Sequence, residues 1–451
     1  MINRICVIDM PGLSRRLLEE IPGGSALGQW MAGKRVLGLT PSFPAVTCSI
    51  QATLTTGQNP AVHGIIANGI ATFRSSEDQA LVDAANFAEN RRQISFWEQS
   101  NQFLDAPRFW QNGSGKSRWK TSLLFFQHSM PGFAGRVKPA ADIVLTPKPD
   151  HGPDGKLVSL CWSEPRELVG RLFGELGPFP LMNYWGPMAG IASSQWIARA
   201  AAIVWRERLP QLQWVYIPHL DYDLQRFGPD SPQAGSAARQ AAAAVEPLVT
   251  EVVQSGGKLV VLSEYAMRQV DSVVQPNVIL KKEGLLITRA TKDGQVVDFD
   301  RSGAFVMVDH QIAHVYAKSA ANVETRARLL KVNGVRAVER PGVEIRHRRC
   351  GDLVLFAEPN AWFDYRWWEE AADAPAFART VDIHRKPGYD PLELFWDRAS
   401  NGVSQNSALI KGSHGVVSPG EAVWVGDFGE IGSDPLAANQ IAKLISEALE
   451  K

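Results

Sequence analysis

A threonine hydroxyl near the start of a predicted helix is the first feature of this sequence that could do chemistry. Thr47 follows Pro44, and Ile50 and Leu54 recur at helical spacing before Gly57 ends the run. A hydroxyl at a helix N-terminus lies beside free N–H groups and the positive end of the dipole, where phosphate binds well. The pattern therefore indicates either a nucleophile, activated by a metal ion that lowers its pKa, or a helix cap without catalytic use.

Acidic residues that could hold a metal ion follow three predicted buried strands. Asp9 ends the first of these strands, Asp221 comes shortly after the third, and Glu264 ends the fourth. In open α/β sheets ligands bind beyond the carboxyl ends of the strands, so we expect these carboxylates to meet at one edge together with Thr47. A set of carboxylates is typical of a site for a hard or borderline metal ion. A solvated loop carboxylate or a helix cap is the alternative for each residue taken alone.

The elements that must position these groups alternate between strands and helices. Buried strands are predicted at 4–9, 35–39, 213–218 and 258–263, and helices at 14–20, 47–56, 234–255 and 437–449. This alternation predicts an α/β fold with a doubly wound, mixed but mostly parallel sheet that is flanked by helices.

The distribution of strand, helix and turn signals along the sequence also predicts the domain organisation. An α/β core is expected over 1–275, with an irregular insertion at about 70–209. Short apolar runs and turn signals predict a smaller, β-rich α+β subdomain over 276–399. Residues 400–451 are expected to return to the core.

Four segments resemble the type I phosphodiesterase/nucleotide pyrophosphatase family of the alkaline phosphatase superfamily. The Thr47 segment matches in FPxxT, then TG, P, HGI and Asn68. DYDLQRFGP (221–229), SEYAM (263–267) and KGSHG (411–415) are similar to the family's DxxGHxxGP, SDHGM and GxHG. The resemblance implies an alkaline phosphatase-like fold with an inserted subdomain. It also implies that Thr47 attacks phosphorus and that Asn68 helps to hold a phosphoryl oxygen.

The resemblance further implies a metal centre, in which one ion takes an Asp and two His and the other takes two Asp, one His and the nucleophile. The corresponding positions here are Asp9, Thr47, Asp221, Gln225, Glu264, Tyr265 and His414. Gln225 and Tyr265 stand where the family has histidine, and Glu264 where it has aspartate. Because imidazole suits zinc and oxygen donors suit harder ions, this divergent set favours magnesium, manganese or iron over a zinc pair, with one or two ions bound.

Other histidines could compensate for the lost ligands. His219 would share the face of Asp221 if the segment between them is extended. His310 and His314 would share one face of a predicted strand, and His384 opens a further loop. A structural histidine is the alternative for each of them.

Three loops could bind the substrate. Lys148 and His151 lie on one of them, and Arg385 and Lys386 on another. The segment 360–370 is rich in tryptophan and could stack a ring, or could form the core of the subdomain.

Composition limits the partners. The 47 Lys and Arg residues balance the 47 Asp and Glu residues, so no basic excess favours nucleic acid or a membrane surface. The four cysteines are far apart, and no signal peptide or membrane span is evident, so a cytoplasmic protein with free thiols is expected. We expect a small phosphate ester or nucleotide-like molecule as the partner and leave the oligomeric state open.

These observations favour a metal-dependent hydrolase of a phosphoric diester or pyrophosphate bond that works through a phospho-threonine. A phosphonate C–P hydrolase or phosphomonoesterase of the same superfamily is an alternative, as is a transferase that uses the same intermediate. A non-catalytic binding protein is the alternative from another class, because two expected ligand histidines are missing.

Overall fold

The computed structural model describes residues 3–84, 94–113, 115–132, 137–151, 157–158, 161–292, 294–318, 322–381, 393–429 and 431–451. The helices in these ranges are α1 (Arg15–Leu18), α2 (Ala26–Met31), α3 (Thr47–Thr56), α4 (Pro60–His63), α5 (Ser76–Ala84), α6 (Glu167–Leu176), α7 (Ile191–Arg208), α8 (His219–Phe227), α9 (Pro232–Gln254), α10 (Pro276–Lys282), α11 (Asn322–Leu329) and α12 (Ile441–Glu450). The strands are β1 (Ile5–Asp9), β2 (Leu37–Thr40), β3 (Gly69–Ala71), β4 (Ile94–Phe96), β5 (Thr121–Leu124), β6 (Ile143–Pro147), β7 (Asp150–His151), β8 (Leu157–Val158), β9 (Cys161–Glu164), β10 (Leu212–Tyr216), β11 (Lys258–Leu262), β12 (Arg268–Gln269), β13 (Ser272–Val274), β14 (Thr288–Thr291), β15 (Gly294–Val297), β16 (Ala304–Asp309), β17 (Ile312–Ala317), β18 (Val335–Glu339), β19 (Leu353–Ala357), β20 (Ala361–Phe363), β21 (Trp396–Asp397), β22 (Gly402–Val403), β23 (Gly412–Ser413), β24 (Ala422–Gly426) and β25 (Leu436–Ala437).

A large sheet forms the centre of the fold. Within the described ranges it has nine strands, in the order β25-β2-β24-β11-β1-β10-β5-β6-β9. Strands β11, β1, β10, β5 and β6 pair in parallel, whereas β24 and β9 run antiparallel to their neighbours. Apolar runs such as ICVID in β1 are buried along their whole length, as expected for strands that are covered on both faces. The predicted α/β fold with a mostly parallel sheet is confirmed.

Helices flank this sheet. The long helix α9 packs along α7, and most of its alanine side chains are buried, so the two helices can approach closely. Helix α3 contacts the C-terminal helix α12, and both add apolar side chains to the same core. None of the described helices is both long enough and apolar enough to cross a membrane.

The strand register brings several carboxyl ends to one edge of the large sheet. Asp9, the last residue of β1, pairs with Tyr216 of β10 on one side and with Leu262 of β11 on the other. Glu264 therefore emerges next to Asp9. Strand β2 points the same way as β11, because both run antiparallel to β24 between them. Helix α3 begins shortly after β2, which brings Thr47 to the same edge.

A second, antiparallel sheet of β16, β17, β19 and β18 has its own core. Trp367 and Trp368 are almost completely buried in that core. These two tryptophans of the segment 360–370 therefore pack against the second sheet. The domain boundaries at 275 and 399 stay predictions.

The turn between β16 and β17 departs from the sequence-based expectation. Asp309 pairs with Ile312, so His310 and Gln311 form a two-residue turn, with His310 at a φ of 59°. The prediction that His310 and His314 share one face of a strand is therefore wrong. Left-handed backbone is unfavourable for a residue with a Cβ and usually falls to glycine or asparagine in such turns.

A buried ion pair ties α5 to the segment that precedes β19. Arg349 donates to both carboxylate oxygens of Asp78, at 2.9 and 2.7 Å, and neither side chain is exposed. The same guanidinium donates to the carbonyls of Gly64 and Phe103. Arg349 thus joins three separate parts of the chain.

Candidate active site

Thr47 is the first residue of α3, as the sequence predicts. The helix ends at Gly57, whose φ of 71° is the left-handed conformation expected of a glycine cap. The Thr47 side chain is 2 % exposed and lies on the wall of a cavity at the edge of the large sheet. The cavity has a volume of about 160 Å³. The candidate nucleophile is therefore at a helix N-terminus and faces an enclosed space.

A chain of hydrogen bonds connects Thr47 through Tyr265 to Asp221 and Gln225. Thr47 Oγ1 lies 3.0 Å from Tyr265 Oη, and that hydroxyl donates to Asp221 Oδ1 at 3.2 Å. Because the single Tyr265 hydroxyl proton points to Asp221, its oxygen accepts from Thr47. Gln225 Nε2 donates to Asp221 Oδ2 at 2.6 Å. Both oxygens of Asp221 are thus paired with neutral donors.

Asp9 and Glu264 are in the opposite situation. Both are completely buried, none of their four carboxylate oxygens accepts a hydrogen bond of good geometry, and the two carboxyl groups lie close to each other. Burial raises the pKa of Asp9 to about 7, and burial together with the charge of Asp9 raises the pKa of Glu264 well above its usual value. Glu264 also lies near enough to Thr47 and Gln51 for both to favour its charged form. Two buried, unpartnered carboxylates are costly unless they are protonated or bind a cation.

The donor chemistry at this point fits a cation. Among the described residues, no three histidine, cysteine, aspartate or glutamate side chains are arranged to hold a metal ion. Asp9 and Glu264 supply two carboxylates, however, and the Thr47 hydroxyl is a third oxygen of another type. An all-oxygen set suits a hard divalent cation such as Mg²⁺ or Mn²⁺.

The metal-stripped chain is expected to lose stability between about pH 4 and about pH 7. The pKa of Asp9 and of Asp221 is about 7 in the folded chain but about 4 in an unfolded one, so the folded state binds these protons more tightly. This stabilisation is fully present below about pH 4, is lost as the pH rises through about 7, and amounts to at most about 4 kcal/mol per carboxyl. Thermal unfolding of chelator-treated protein across this range measures it.

Added Mn²⁺ is expected to raise the unfolding temperature most at the alkaline end, where the carboxylates are ionised. Asp9→Asn, which removes one titrating group, is expected to flatten the pH dependence. An unfolding temperature that rises with pH in the stripped wild-type chain contradicts this account.

Asn68 is held beside Thr47 by two partners. Its Oδ1 accepts from the backbone N–H of Cys48 at 3.0 Å. Its Nδ2 and its own backbone N–H donate to the two oxygens of Asp309, at 2.9 and 2.7 Å. One hydrogen of Nδ2 is left for another acceptor. Burial raises the pKa of Asp309 to about 7, although the bonds from Asn68 oppose this rise.

Sequence reasoning missed Asp309. Its only local signal is an acidic residue at the junction of two apolar runs, VMVD and IAHVY, where a turn is needed. That signal predicts the turn but not the contact of Asp309 with Asn68, because Asn68 is far away in the sequence.

His414 lies between two other rings. Its ring stacks on Tyr265 with centroids 3.8 Å apart and planes 6° apart, and the His310 ring is 3.8 Å away. Nδ1 of His414 bonds the carbonyl oxygen of Ala45 at 2.8 Å, so that nitrogen carries the proton and Nε2 keeps a free lone pair. Burial lowers the pKa of His414, and that of His310 to about 4, so both rings are neutral near pH 7.

The other histidines are not brought into the site. His219 lies in α8 and not on an extended segment, so the prediction that it shares the face of Asp221 is wrong, since positions two apart on a helix point in different directions. Its Nε2 bonds Gln240 instead. His314 bonds the carbonyl of Ile66 from within β17.

The predicted substrate-binding residues are only partly described. Lys148 is exposed and directly follows Pro147, which lines the cavity. The backbone of His151 lies in β7, but its side chain is outside the described part of the structure. Arg385 and Lys386, like His384, lie outside the described residues.

Aromatic side chains make up much of the cavity wall. They are Trp97, Tyr184, Trp185, Tyr216 and Tyr222, in addition to Tyr265. Among the described residues that line the cavity there is no lysine or arginine. The wall therefore suits a ring or another apolar group better than a second acidic group.

The sequence matches the family model described as type I phosphodiesterase / nucleotide pyrophosphatase over residues 5–390. The chain belongs to this family. The predicted family and the prediction of a hydrolytic enzyme are thereby confirmed.

Solved structures share the fold. Phosphonoacetate hydrolase from Sinorhizobium meliloti 1021, in complex with phosphonoformate, superposes with a TM-score of 0.59 at 15 % identity, over 99 % of this chain and 96 % of that chain. Murine ectonucleotide pyrophosphatase / phosphodiesterase 5 gives a TM-score of 0.56 at 13 % identity, over 99 % and 95 %. An inactive form of the murine protein in complex with AMP gives 0.55 at 14 % identity, over 99 % and 95 %. No curated protein matches the sequence.

Proposed function

We propose that this chain is a metal-dependent hydrolase that cleaves a phosphoric diester or pyrophosphate bond through a phospho-threonine on Thr47. One observation carries the proposal: the Thr47 hydroxyl faces the cavity from the N-terminus of α3, near Glu264 and Asp9, two buried carboxyl groups whose oxygens accept no hydrogen bond of good geometry. A nucleophile, an anion-binding helix end and a place for a cation are what phosphoryl transfer to a threonine requires.

The residues of the chain would act as follows. Asp9, Glu264 and Thr47 would hold a divalent cation, which would lower the pKa of the Thr47 hydroxyl so that it can act as a nucleophile near neutral pH. Thr47 Oγ1 then bonds to phosphorus, and the bond from phosphorus to the leaving oxygen breaks. Before the reaction, the Thr47 hydroxyl donates its proton in a hydrogen bond to Tyr265 Oη, which in turn donates to Asp221 Oδ1. Water attacks the phospho-threonine in the second step and releases the phosphoryl product.

Two further groups are suited to the reacting phosphoryl group. Asn68 has an amide hydrogen left for a non-bridging oxygen, and its position is fixed by Cys48 and Asp309. His414 presents Nε2 with a free lone pair at the cavity, which suits it to accept a proton from water or to bind a cation. A hydrogen-bond donor to the phosphoryl oxygens, such as the Asn68 amide, is typically worth about 100- to 1000-fold in rate.

The wall of the cavity supports a diester as substrate. The substituent that is not released has to lie against Trp97, Trp185 and Tyr222, where a ring or an apolar group buries its surface. A phosphonocarboxylate would bring a second negative charge, for which the described wall offers no cation. AMP and phosphonoformate are bound by structural relatives, so both substrate types belong in the test.

Chelator-treated protein is expected to be inactive and to regain activity when Mn²⁺ or Mg²⁺ is added. The measurement is a panel of a chromogenic phosphodiester, the matching monoester, a dinucleotide pyrophosphate and phosphonoacetate, each with Mn²⁺, Mg²⁺ or Zn²⁺. We expect kcat/KM for the diester to exceed that for the monoester at least about tenfold, because the aromatic wall binds the second substituent.

Two outcomes would contradict this proposal. Turnover of phosphonoacetate above that of the diester would assign the chain to C–P hydrolysis. Binding of these compounds without turnover under any metal condition would assign it to the non-catalytic class.

A further inference from the structure

The hydrogen bonding of Asp221 differs from that of the pair Asp9 and Glu264. Asp221 accepts one hydrogen bond on each oxygen, from Tyr265 and Gln225. Asp9 and Glu264 accept no hydrogen bond of good geometry, although both are completely buried and lie close to each other. Hydrogen bonds from neutral donors offset part of the cost of burying Asp221, whereas Asp9 and Glu264, which lie close to each other, need a cation or a shared proton. The need for positive charge is therefore greatest on the side of Thr47 where Asp9 and Glu264 lie.

The other side of Thr47 is already filled. The Tyr265 hydroxyl lies within hydrogen-bond distance of Thr47 Oγ1 and of Asp221 Oδ1, and Asp221 is the aspartate that the resemblance assigns to a second cation. The tyrosine is 1 % exposed, and its ring is clamped in a parallel stack on His414. The hydroxyl oxygen therefore occupies the space between these two oxygens, and the ring cannot move aside without losing that stack.

We propose that this chain binds one divalent cation, at Asp9, Glu264 and Thr47, and that the hydroxyl of Tyr265 takes the place of the second cation that the family resemblance implies. The proposal rests on the function proposed above, because it concerns the same site. Gln225 completes the replacement, since its amide donates to the remaining oxygen of Asp221. Asp221 is then a hydrogen-bond acceptor that steadies Tyr265 and not a metal ligand.

The test is the number of cations bound per chain. Metal-stripped protein is dialysed to equilibrium against Mn²⁺, and bound metal is measured by elemental analysis. We expect about one equivalent for the wild-type chain, as for a single oxygen site. The electron paramagnetic resonance spectrum is expected to be that of an isolated Mn²⁺ ion, without the exchange coupling of a close pair. Neither readout depends on turnover.

Variants distinguish the two carboxylate groups. Asp9→Asn is expected to abolish tight binding, whereas Asp221→Asn is expected to keep about one equivalent because Asp221 is not a ligand. The double variant Tyr265→His with Gln225→His restores the imidazoles of the family pattern and is expected to bind a second equivalent. Tyr222→Phe is the matched control. It changes another tyrosine of the same cavity wall, whose hydroxyl donates to the carbonyl of Tyr184, and it is expected to leave the stoichiometry unchanged.

The outcomes separate this inference from the proposed function. Two equivalents in the wild-type chain, with one of them lost in Asp221→Asn, would overturn the inference and leave the metal-dependent hydrolase in place. No bound cation would overturn the inference and the metal dependence together. Circular dichroism of each variant shows whether it is folded, and Asp221→Asn keeps the test decisive if the double variant does not fold.

Discussion

Replacing Thr47 by alanine is expected to reduce turnover by roughly 10⁴- to 10⁶-fold, the loss that removal of a catalytic nucleophile typically causes. The proposed reaction forms its covalent bond at Thr47 Oγ1, and the described structure puts that oxygen at the cavity wall. Alanine removes the oxygen and leaves the helix start otherwise unchanged. The measurement is kcat on the best substrate of the panel.

Mass spectrometry of protein quenched during turnover of a diester adds a direct readout, because wild-type protein is expected to carry on Thr47 the phosphoryl group together with the substituent that is not released. Thr47→Ser keeps the hydroxyl and is expected to retain measurable activity. Thr56→Ala is the matched control on the same helix, since its hydroxyl bonds the carbonyl of Ala52 and takes no part in the site. A Thr47→Ala variant within about tenfold of wild-type kcat would exclude the phospho-threonine mechanism.

Replacing Arg349 by alanine is expected to lower the free energy of unfolding by about 3 to 5 kcal/mol. The change removes both hydrogen bonds from Arg349 to buried Asp78, which keeps only the partly exposed Arg348 as a charge partner. It also removes the donor to the carbonyls of Gly64 and Phe103. Chemical denaturation followed by circular dichroism measures the loss.

The control is the exposed ion pair of Arg118 and Glu450, in which both side chains are about half exposed. Arg118→Ala is expected to cost less than about 1 kcal/mol, because water and salt screen an exposed pair. Replacing Arg349 and Asp78 together by apolar residues of similar size is expected to recover much of the loss. A cost below about 1 kcal/mol for Arg349→Ala would show that this junction does not hold the fold together.

The large sheet and α3 could be predicted because their signals are local. Apolar runs that end at Asp9 and Glu264 identify buried strands, and the spacing of Ile50, Leu54 and Gly57 identifies the helix. Parallel pairing then requires the strand ends to meet, so the edge that carries the site follows from the pattern. The family followed from short motifs around Thr47.

The contacts that distinguish this site could not be predicted in the same way. Gln225 and Tyr265 are visible as departures from a motif, and Gln225 meets Asp221 one helical turn away in α8. The contact of Tyr265 with Asp221 depends on how α8 lies against the segment that follows β11. The prediction for His219 was wrong because α8 already begins at His219, directly after the strand, so no extended segment connects it to Asp221. His310 was misjudged because a two-residue turn interrupts what reads as one strand.

The turn between β16 and β17 has a consequence for engineering and for evolution. Through Asp309 it fixes Asn68, and through His310 it covers His414. The second sheet is therefore not a removable accessory: a truncation or graft that displaces this hairpin also releases the Asn68 amide, to which we assign the binding of a phosphoryl oxygen in the proposed function. Shuffling this region between relatives would preserve activity only where the donor carries the same acidic anchor at the tip of its hairpin.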